Sequence, residues 1–383
     1  MTFVSNKNRI LSVPLLLLML LGLIAVFAPV PDAPSFRDVV IVFIPLLFYA
    51  ISHQYHINKV SVAYFSIWLV AMLSTSMSNY VTFESTVITY FSFILMVVLF
   101  SSTSFIPKQL NLFVNFYIAL AIVCVFLITL SFIAGVEHGY NRYSIDIIGY
   151  DRNPNYINSV IILAIVFVLY RLFRKKNFRL GYFFILIFLC YGSFMTGTRA
   201  AILTIAVCFA FTFAFEMIRK RSIFNLFVVG TLVSIISFVL IIYVPDVVSQ
   251  RFSSENAFED EVRMYMWERN YSQFQLNPMI GMGLNATTKY TSSLGLKIDN
   301  MHNVLLQFIY EHGIVGLMLF MFILINIFLR TKKYDRGFMV TMSIAMYIPI
   351  MFQNGLVALT FWWPLIVLEV FSNTSQRYSL KEL

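Results

Sequence analysis

Three side chains in this sequence have types and surroundings suited to group-transfer chemistry. Arg199 lies in the segment SFMTGTRAAILT, Arg263 in the segment RMYMW, and His302 directly before the run NVLLQ. Two guanidinium groups can hold a diphosphate through bidentate hydrogen bonds, which a lysine ammonium does less well. A neutral imidazole can accept a proton from a hydroxyl group. Together these residues would supply a phosphate-binding pair and a base.

Each of these residues also has a simpler explanation. A lone histidine is more often structural, and an arginine near the end of an apolar helix can extend to the membrane surface. A charge inside an apolar segment is costly, however, and usually faces a cavity or a partner. After His302, the residues Asn303, Gln307 and Glu311 recur at helical spacing and form one polar stripe, which indicates a wet cleft at the membrane surface.

The chemistry that suits these groups is glycosyl transfer from a lipid diphosphate. A diphosphate leaving group needs charge stabilisation, which arginines can provide in place of a metal. One base without a second carboxylate predicts a single displacement with inversion, unlike the paired carboxylates of glycosidases. His53 and His56 have no companion ligands, and the sequence has no P-loop or glycine-rich dinucleotide turn. We therefore expect no metal and no cofactor.

Composition places this chemistry in a membrane protein. Of 383 residues, 60% are hydrophobic and 12% charged, whereas soluble proteins have about 25% charged residues. The net charge of +9 does not indicate nucleic acid, because the basic residues lie mostly in short loops. Cys124, Cys190 and Cys208 lie in apolar runs, which argues against disulfides and thiolate metal clusters.

A helix needs about 20 apolar residues to cross the hydrocarbon core, and the sequence predicts about twelve such spans. The predicted spans cover residues 10–28, 38–52, 60–75, 86–102, 111–134, 156–172, 180–195, 200–216, 223–244, 303–330, 337–352 and 355–371. With both termini cytoplasmic, eighteen of the 27 Lys and Arg residues fall on the cytoplasmic side. The first apolar run is longer than the core of a usual signal peptide, so we interpret it as a retained span.

One long hydrophilic segment, residues 245–302, is predicted on the side of the membrane opposite the cytoplasm. Its part from 260 to 275 lacks Pro and Gly and predicts an amphipathic helix, on which Arg263 and Trp267 are neighbours. Asn277-Pro278 should end that helix, and the glycines that follow should allow a sharp turn. The predicted organisation is a membrane domain over 1–244, this loop over 245–302, and a membrane domain with a cytoplasmic tail over 303–383.

Four segments together resemble the O-antigen ligase and polymerase family. They are TGTRA, RMYMW, NPMIGMG and MHNVLLQFIYEHGIVG. The resemblance implies an all-α polytopic membrane protein of GT-C-like glycosyltransferase architecture, with short helices in its periplasmic loop. It also implies that Arg199 and Arg263 bind undecaprenyl diphosphate and that His302 activates the acceptor, without metal or nucleotide.

The resemblance extends to weaker candidates. The segment DRNPNYINS is similar to an element found before a middle span in polymerase-like members. Residues expected in a substrate cleft are Arg152, Asn155, Asn303, Gln307 and Glu311. Residues expected to support the loop and the cleft are Trp267, Gly281 and Gly283, and Glu311 is also a candidate for this supporting role.

The resemblance leaves two acceptors open. A polymerase transfers the growing chain to a new lipid-linked repeat unit, whereas a ligase transfers it to the core of lipopolysaccharide. The segments DRNPN and NPMIGMG favour the polymerase. Expected partners are an undecaprenyl-diphosphate-linked oligosaccharide, membrane lipids and a chain-length regulator, at the bacterial inner membrane. A transporter of lipid-linked sugars is the alternative from another class, but repeated halves, which such proteins usually have, are not visible.

Overall fold

The computed structural model describes residues 11–27, 36–52, 59–78, 85–136, 143–147, 150–151, 154–174, 178–220, 257–294, 303–350, 359–378 and 380. In these ranges the chain forms thirteen helices and one pair of short antiparallel strands. The helices are α1 (Val13–Phe27), α2 (Phe36–Ser52), α3 (Lys59–Ser76), α4 (Ser85–Phe100), α5 (Pro107–Ile133), α6 (Pro154–Arg174), α7 (Arg179–Met195), α8 (Arg199–Lys220), α9 (Ala257–Phe274), α10 (Ala286–Ser293), α11 (Val304–Arg330), α12 (Arg336–Ile350) and α13 (Leu359–Arg377); the strands are β1 (Asp146–Ile147) and β2 (Tyr150–Asp151).

The helices follow the apolar runs of the sequence. Eleven of the twelve predicted spans coincide with one helix each, and the ninth, 223–244, lies outside the described residues. Among the helices of the described ranges, four are long and apolar enough to cross a membrane by length and composition, namely α3, α5, α6 and α11. The chain is therefore a helical polytopic membrane protein, while the number of spans and their orientation stay predictions.

The chain divides into two compact units that interleave along the sequence. The first contains residues 1–106, 255–332 and 350–378, and the second contains residues 107–254, 333–349 and 379–383. The division follows packing and not chain order. The predicted division into two membrane domains and a loop describes where each segment lies relative to the bilayer. That division stays a prediction.

In the first unit, α11 packs along α3, and α13 packs against α4 and α11. A buried polar network joins these helices at one end. Arg330 Nη2 lies 2.6 Å from Glu369 Oε2, and the Tyr64 hydroxyl donates to Glu369 Oε1 at 3.2 Å. Arg330 Nη1 also donates to Asn373 Oδ1 at 2.8 Å. Because the Glu369 side chain is fully buried, this pairing compensates a charge that would otherwise be costly.

In the second unit, α6 is the central helix. It contacts α5, α7 and α8, and 83% of its most apolar stretch is buried. Its sequence explains this position, since the run VIILAIVFVLY is apolar on every face and has no side suited to water. Pro154 is the first residue of α6, where a missing N–H is tolerated because the first helical turn leaves it without an intrahelical partner anyway.

Candidate functional site

Helix α11 contains most of the segment MHNVLLQFIYEHGIVG, residues 301–316, and is interrupted within it. Gly313 has φ 69° and ψ −172°, which no helix contains. In a continuous helix the N–H groups of Ile314 and Val315 would donate to the carbonyl groups of Tyr310 and Glu311. The interruption leaves these four backbone groups without an intrahelical partner, and unpaired backbone groups are costly in an apolar environment.

The loop segment 278–283, PMIGMG, pairs all four groups. The bonds are Met282 N–H to Tyr310 C=O at 2.8 Å, Gly283 N–H to Glu311 C=O at 3.1 Å, Ile314 N–H to Pro278 C=O at 2.9 Å and Val315 N–H to Met279 C=O at 3.0 Å. Two helical hydrogen bonds are thus replaced by four bonds to the loop. The loop is a structural part of the broken helix and is fixed to it along its backbone.

Two glycines make this close approach possible. Gly281 has φ +82°, and a Cβ atom there would lie 2.5 Å from the carbonyl carbon of Glu311. Gly313 has φ +69°, and its Cβ atom would lie 2.3 Å from the carbonyl oxygen of Met279. Both positions combine a left-handed backbone with a backbone neighbour that cannot move aside. The sequence motif therefore encodes the contact between loop and helix from both sides.

We call the attachment of residues 278–283 to the break in α11 the lock between loop and helix. A third glycine, Gly283, fits the loop against α3. It has φ +100°, and a Cβ atom would lie 2.9 Å from the Cα atom of Thr75. The next residue, Leu284, donates its N–H to Thr75 Oγ1 at 3.0 Å. Loop, α11 and α3 are therefore held together at one point.

Glu311 anchors the start of α10. Its Oε2 atom accepts from the N–H of Asn285 at 2.8 Å, and its Oε1 atom accepts from the Thr287 hydroxyl at 2.6 Å and from Gln307 Nε2 at 3.0 Å. Asn285 directly precedes α10, so the carboxylate lies at the positive end of that helix. Glu311 is fully buried and Gln307 is 5% exposed.

This burial changes the interpretation of the polar stripe. Its spacing is as predicted, and Gln307 and Glu311 bond each other, but the loop covers the stripe at Glu311 where the sequence suggested water. The physical reason is tertiary, since the donors of Asn285 and Thr287 come from a distant segment. Whether Gln307 and Glu311 contact substrate stays a prediction.

Helix α9 is attached to the same assembly. As predicted, it ends before Asn277-Pro278. Trp267 packs against an apolar cluster, and Asn270 Nδ2 donates to Thr291 Oγ1 of α10 at 3.1 Å. The cluster consists of Phe274, Met282, Ala286, Tyr290 and Tyr310. Arg263 lies one helical turn before Trp267, so its backbone is held by α9.

His312 lies at the interruption and has no solvent contact. Its ring stacks on Phe308 with centroids 4.4 Å apart, and its Nε2 atom lies 2.5 Å from the Tyr90 hydroxyl. The other ring nitrogen, Nδ1, lies 3.2 Å from the carbonyl oxygen of Phe308. His312 therefore joins α4 to α11 beside the loop. A Cβ atom at Gly316 would lie 2.4 Å from His312 Cβ, so that glycine provides room for it.

Arg199 lies in the second unit, as the first residue of α8. A buried turn precedes it, in which Gly197 has φ +60° and the Thr196 hydroxyl donates to the carbonyl of Ser193 at 2.7 Å. The carbonyl of Met195 accepts from the N–H of Tyr143 at 3.3 Å. The segment TGTR therefore begins α8 from a fixed turn.

Of the remaining predicted site residues, the structure describes some completely and others only in part or not at all. His302 and Arg152 lie outside the described residues, and the side chains of Arg199 and Arg263 do as well. Asn303 precedes α11, where its Oδ1 atom accepts from the N–H of Leu306 at 3.1 Å. His302 therefore stands one residue before a capped helix start. Asn155 is in the first turn of α6 and is half-buried. The binding and catalytic roles of all these residues stay predictions.

Sequence reasoning gave no role to His312, Tyr90 or Thr287. The signal for His312 was present in its position directly before Gly313, since a ring beside a broken helix is well placed to fill the gap. Tyr90 and Thr287 had no signal, because only the tertiary structure brings them to α11. In the described part of the chain, no three His, Cys, Asp or Glu side chains are grouped as a metal site.

Residues 183–321 match the O-antigen ligase family, which confirms the resemblance over this part of the chain. The matched stretch includes Arg199, Arg263 and His302, together with the loop segment 278–283 and the interruption at Gly313. No curated protein matches the chain significantly.

Proposed function

We propose that this chain, whose residues 183–321 match the O-antigen ligase family, is an inner-membrane glycosyltransferase with its active site on the periplasmic side. It transfers a glycan from undecaprenyl diphosphate to an acceptor hydroxyl. We propose a repeat-unit polymerase first and a ligase acting on the lipopolysaccharide core second, since the segments DRNPN and NPMIGMG favour the polymerase.

The family match is the observation that carries this proposal, and the lock between loop and helix supports it. Arg263 lies in α9, and the loop segment 278–283 that follows α9 is fixed to α11 through four backbone hydrogen bonds. The carboxylate of Glu311 also binds Asn285 and Thr287 at the start of α10. His302 precedes the capped start of α11. A transferase that must align donor and acceptor benefits from such rigid attachment of its polar groups.

In the proposed reaction Arg199 and Arg263 bind the diphosphate of the donor. The acceptor oxygen attacks the anomeric carbon and forms the new C–O bond, while the C–O bond to the diphosphate breaks. The acceptor proton passes to His302, and undecaprenyl diphosphate leaves with its charge stabilised by the guanidinium groups. One displacement inverts the configuration at the anomeric carbon.

The test of this proposal uses complementation of a strain in which the gene is deleted. Wild type should restore the surface glycan ladder, His302→Ala should not, and His56→Ala serves as a matched histidine control. For the loop arginine, Arg263→Ala should fail while Arg269→Ala, an exposed residue on the same helix, should restore the ladder. A normal ladder with His302→Ala would refute the proposed base.

The glycan of the deletion strain separates the two acceptors. A single repeat unit on the lipid core identifies a polymerase. Polymer that accumulates on the polyprenyl carrier above a bare core identifies a ligase. If His302→Ala still moves lipid-linked sugar across liposomes and leaves the glycan length unchanged, the chain is a transporter and both transferases are refuted.

A further inference from the structure

We propose that one face of α9, together with the turn that follows it, lies on the surface of the lipid bilayer, in the leaflet where α11 begins. This face consists of Met264, Tyr271 and Met279, and we call it the lipid-contact face. All three residues belong to the first unit, as α11 does. The proposal concerns the position of this segment in the membrane and does not rest on the proposed transfer reaction.

Helix α11 provides the reference for this position. After its interruption, its large exposed apolar side chains recur every three or four residues and form one stripe along the helix. They are Ile314, Met318, Met321, Phe322, Ile325 and Leu329. Because α11 is long and apolar enough to cross the bilayer, this stripe faces the acyl chains.

The stripe begins at Ile314, and the turn after α9 is attached at the same level. The N–H of Ile314 donates to the carbonyl of Pro278 at 2.9 Å, and the N–H of Val315 donates to the carbonyl of Met279 at 3.0 Å. The side chain of Met279 is 56% exposed. Backbone hydrogen bonds thus fix an exposed apolar side chain at the point where the lipid-facing stripe ends.

Tyr271 takes the place of α11 on the other side of the interruption. In a continuous helix Tyr310, four residues before Ile314, would extend the stripe by one turn. Tyr310 is instead only 7% exposed, and the rings of Phe274 and Tyr271 have centroids 5.3 Å and 6.5 Å from its own. Tyr271 itself is 49% exposed. The outer surface at this level is therefore formed by α9.

Met264 extends the lipid-contact face along α9. It precedes Tyr271 by seven residues, or two helical turns, so both lie on one side of the helix, and Met264 is 60% exposed. The exposed Arg269 and Ser272 lie about a quarter turn or more away around the helix. A helix with separate apolar and polar sides lies in the plane of the interface, with its apolar side buried about 5–10 Å. Tyrosine is favoured there, because its ring is apolar and its hydroxyl is polar.

The continuity of this surface indicates lipid and not a second protein. Apolar side chains follow one another from Leu329 through Ile314 to Met279 and Tyr271, and the first part of this path faces acyl chains. A protein partner would have to follow the path out of the bilayer, whereas the bilayer itself contacts both parts. Arg263 directly precedes Met264, so under the proposed function its backbone lies at the level where a lipid diphosphate presents its headgroup.

The test measures the depth of single cysteines in the full chain, reconstituted in phosphatidylcholine nanodiscs. The native residues Cys124, Cys190 and Cys208 are buried, so they are kept, and wild type treated with the same label gives the background. Each variant is labelled with bimane. Its fluorescence is then quenched either by lipid brominated near the headgroup end of its acyl chains or by aqueous iodide.

The variants Met264→Cys, Tyr271→Cys and Met279→Cys should each lose about half of their fluorescence to brominated lipid. Iodide should quench them at least about threefold less than it quenches Ser272→Cys, the matched exposed control on the same helix. Met318→Cys, in the stripe of α11, is the reference for full lipid contact. If Tyr271→Cys lowers Tm, because Tyr271 packs near Tyr310, the variants at positions 264 and 279 decide.

Three results would overturn the proposal. Iodide quenching at positions 264 and 279 as strong as in Ser272→Cys, without an effect of brominated lipid, would show that the face lies in water. Protection from both quenchers would show that protein covers the face, namely a second copy of the chain where native mass spectrometry finds a dimer. Equal quenching of Ser272→Cys by brominated lipid would show that α9 has no single lipid-contact face.

Discussion

Replacing Gly313 by alanine tests whether the loop is locked into the break of α11. An alanine at φ 69° and ψ −172°, a backbone region that essentially only glycine adopts, costs about 1–3 kcal/mol for its conformation alone. The added Cβ atom would also lie 2.3 Å from the Met279 carbonyl oxygen, so the loop must move away. That movement breaks up to four backbone hydrogen bonds, each worth about 0.5–1.5 kcal/mol. The expected loss of stability is therefore about 3–9 kcal/mol.

Gly135 provides the matched control for this substitution. Its φ of +67° is nearly that of Gly313, but a Cβ atom there would meet nothing within 4 Å. Gly135→Ala should therefore lose only the conformational part, about 1–2 kcal/mol. If Gly313→Ala loses more than about 2 kcal/mol beyond the loss in Gly135→Ala, the excess reports the contact between loop and helix, because conformational costs alone differ by no more than that.

The assay combines Tm of the purified full chain with the rate of proteolytic cleavage between residues 257 and 294. Gly313→Ala should lower Tm more than Gly135→Ala and should expose the loop to protease. Equal Tm values and an unchanged cleavage rate for Gly313→Ala would refute the lock, because they would show that loop and helix separate without cost.

Two further changes test the buried polar contacts. Glu311→Ala leaves donors of the loop without an acceptor and should cost about 2–5 kcal/mol, seen as a lower Tm and faster loop cleavage, whereas the exposed Glu268→Ala should change neither; equal behaviour of the two would contradict the anchor. Arg330→Met leaves the buried Glu369 without its cation, although the Tyr64 hydroxyl still donates to it, and should cost about 3–5 kcal/mol. The loss of stability in Arg330→Met/Glu369→Leu should be smaller than the sum of the losses in the two single variants. Simple additivity of these Tm changes would show that the pair is not coupled.

The local features of this chain could be predicted from its sequence. The absence of Pro and Gly over 260–275 predicted α9, and Asn277-Pro278 predicted its end. Gly281 and Gly283 predicted a turn and have positive φ angles. Each of these properties depends on residues within a few positions, so sequence alone could indicate them.

The tertiary features could not be predicted. The polar stripe through Glu311 suggested a wet surface, but Glu311 is covered by the loop. The sequence could not show this, because its partners Asn285 and Thr287 come from another segment. The pairing of His312 with Tyr90 joins residues 222 positions apart. The interruption at Gly313 had a glycine as its only local sign, and its cause is the loop that fills it.

The central claim is that Arg199, Arg263 and His302 meet around one lipid diphosphate on the periplasmic side. The most direct measurement labels single cysteines at these three positions with a membrane-impermeant maleimide in intact cells, with and without added donor, and uses Lys289→Cys as the loop control. The account predicts that all three positions are labelled from outside and that the undecaprenyl-diphosphate-linked donor slows labelling at each of them but not at Lys289→Cys. Labelling of any of the three only after the inner membrane is opened, or labelling that the donor leaves unchanged, would contradict it.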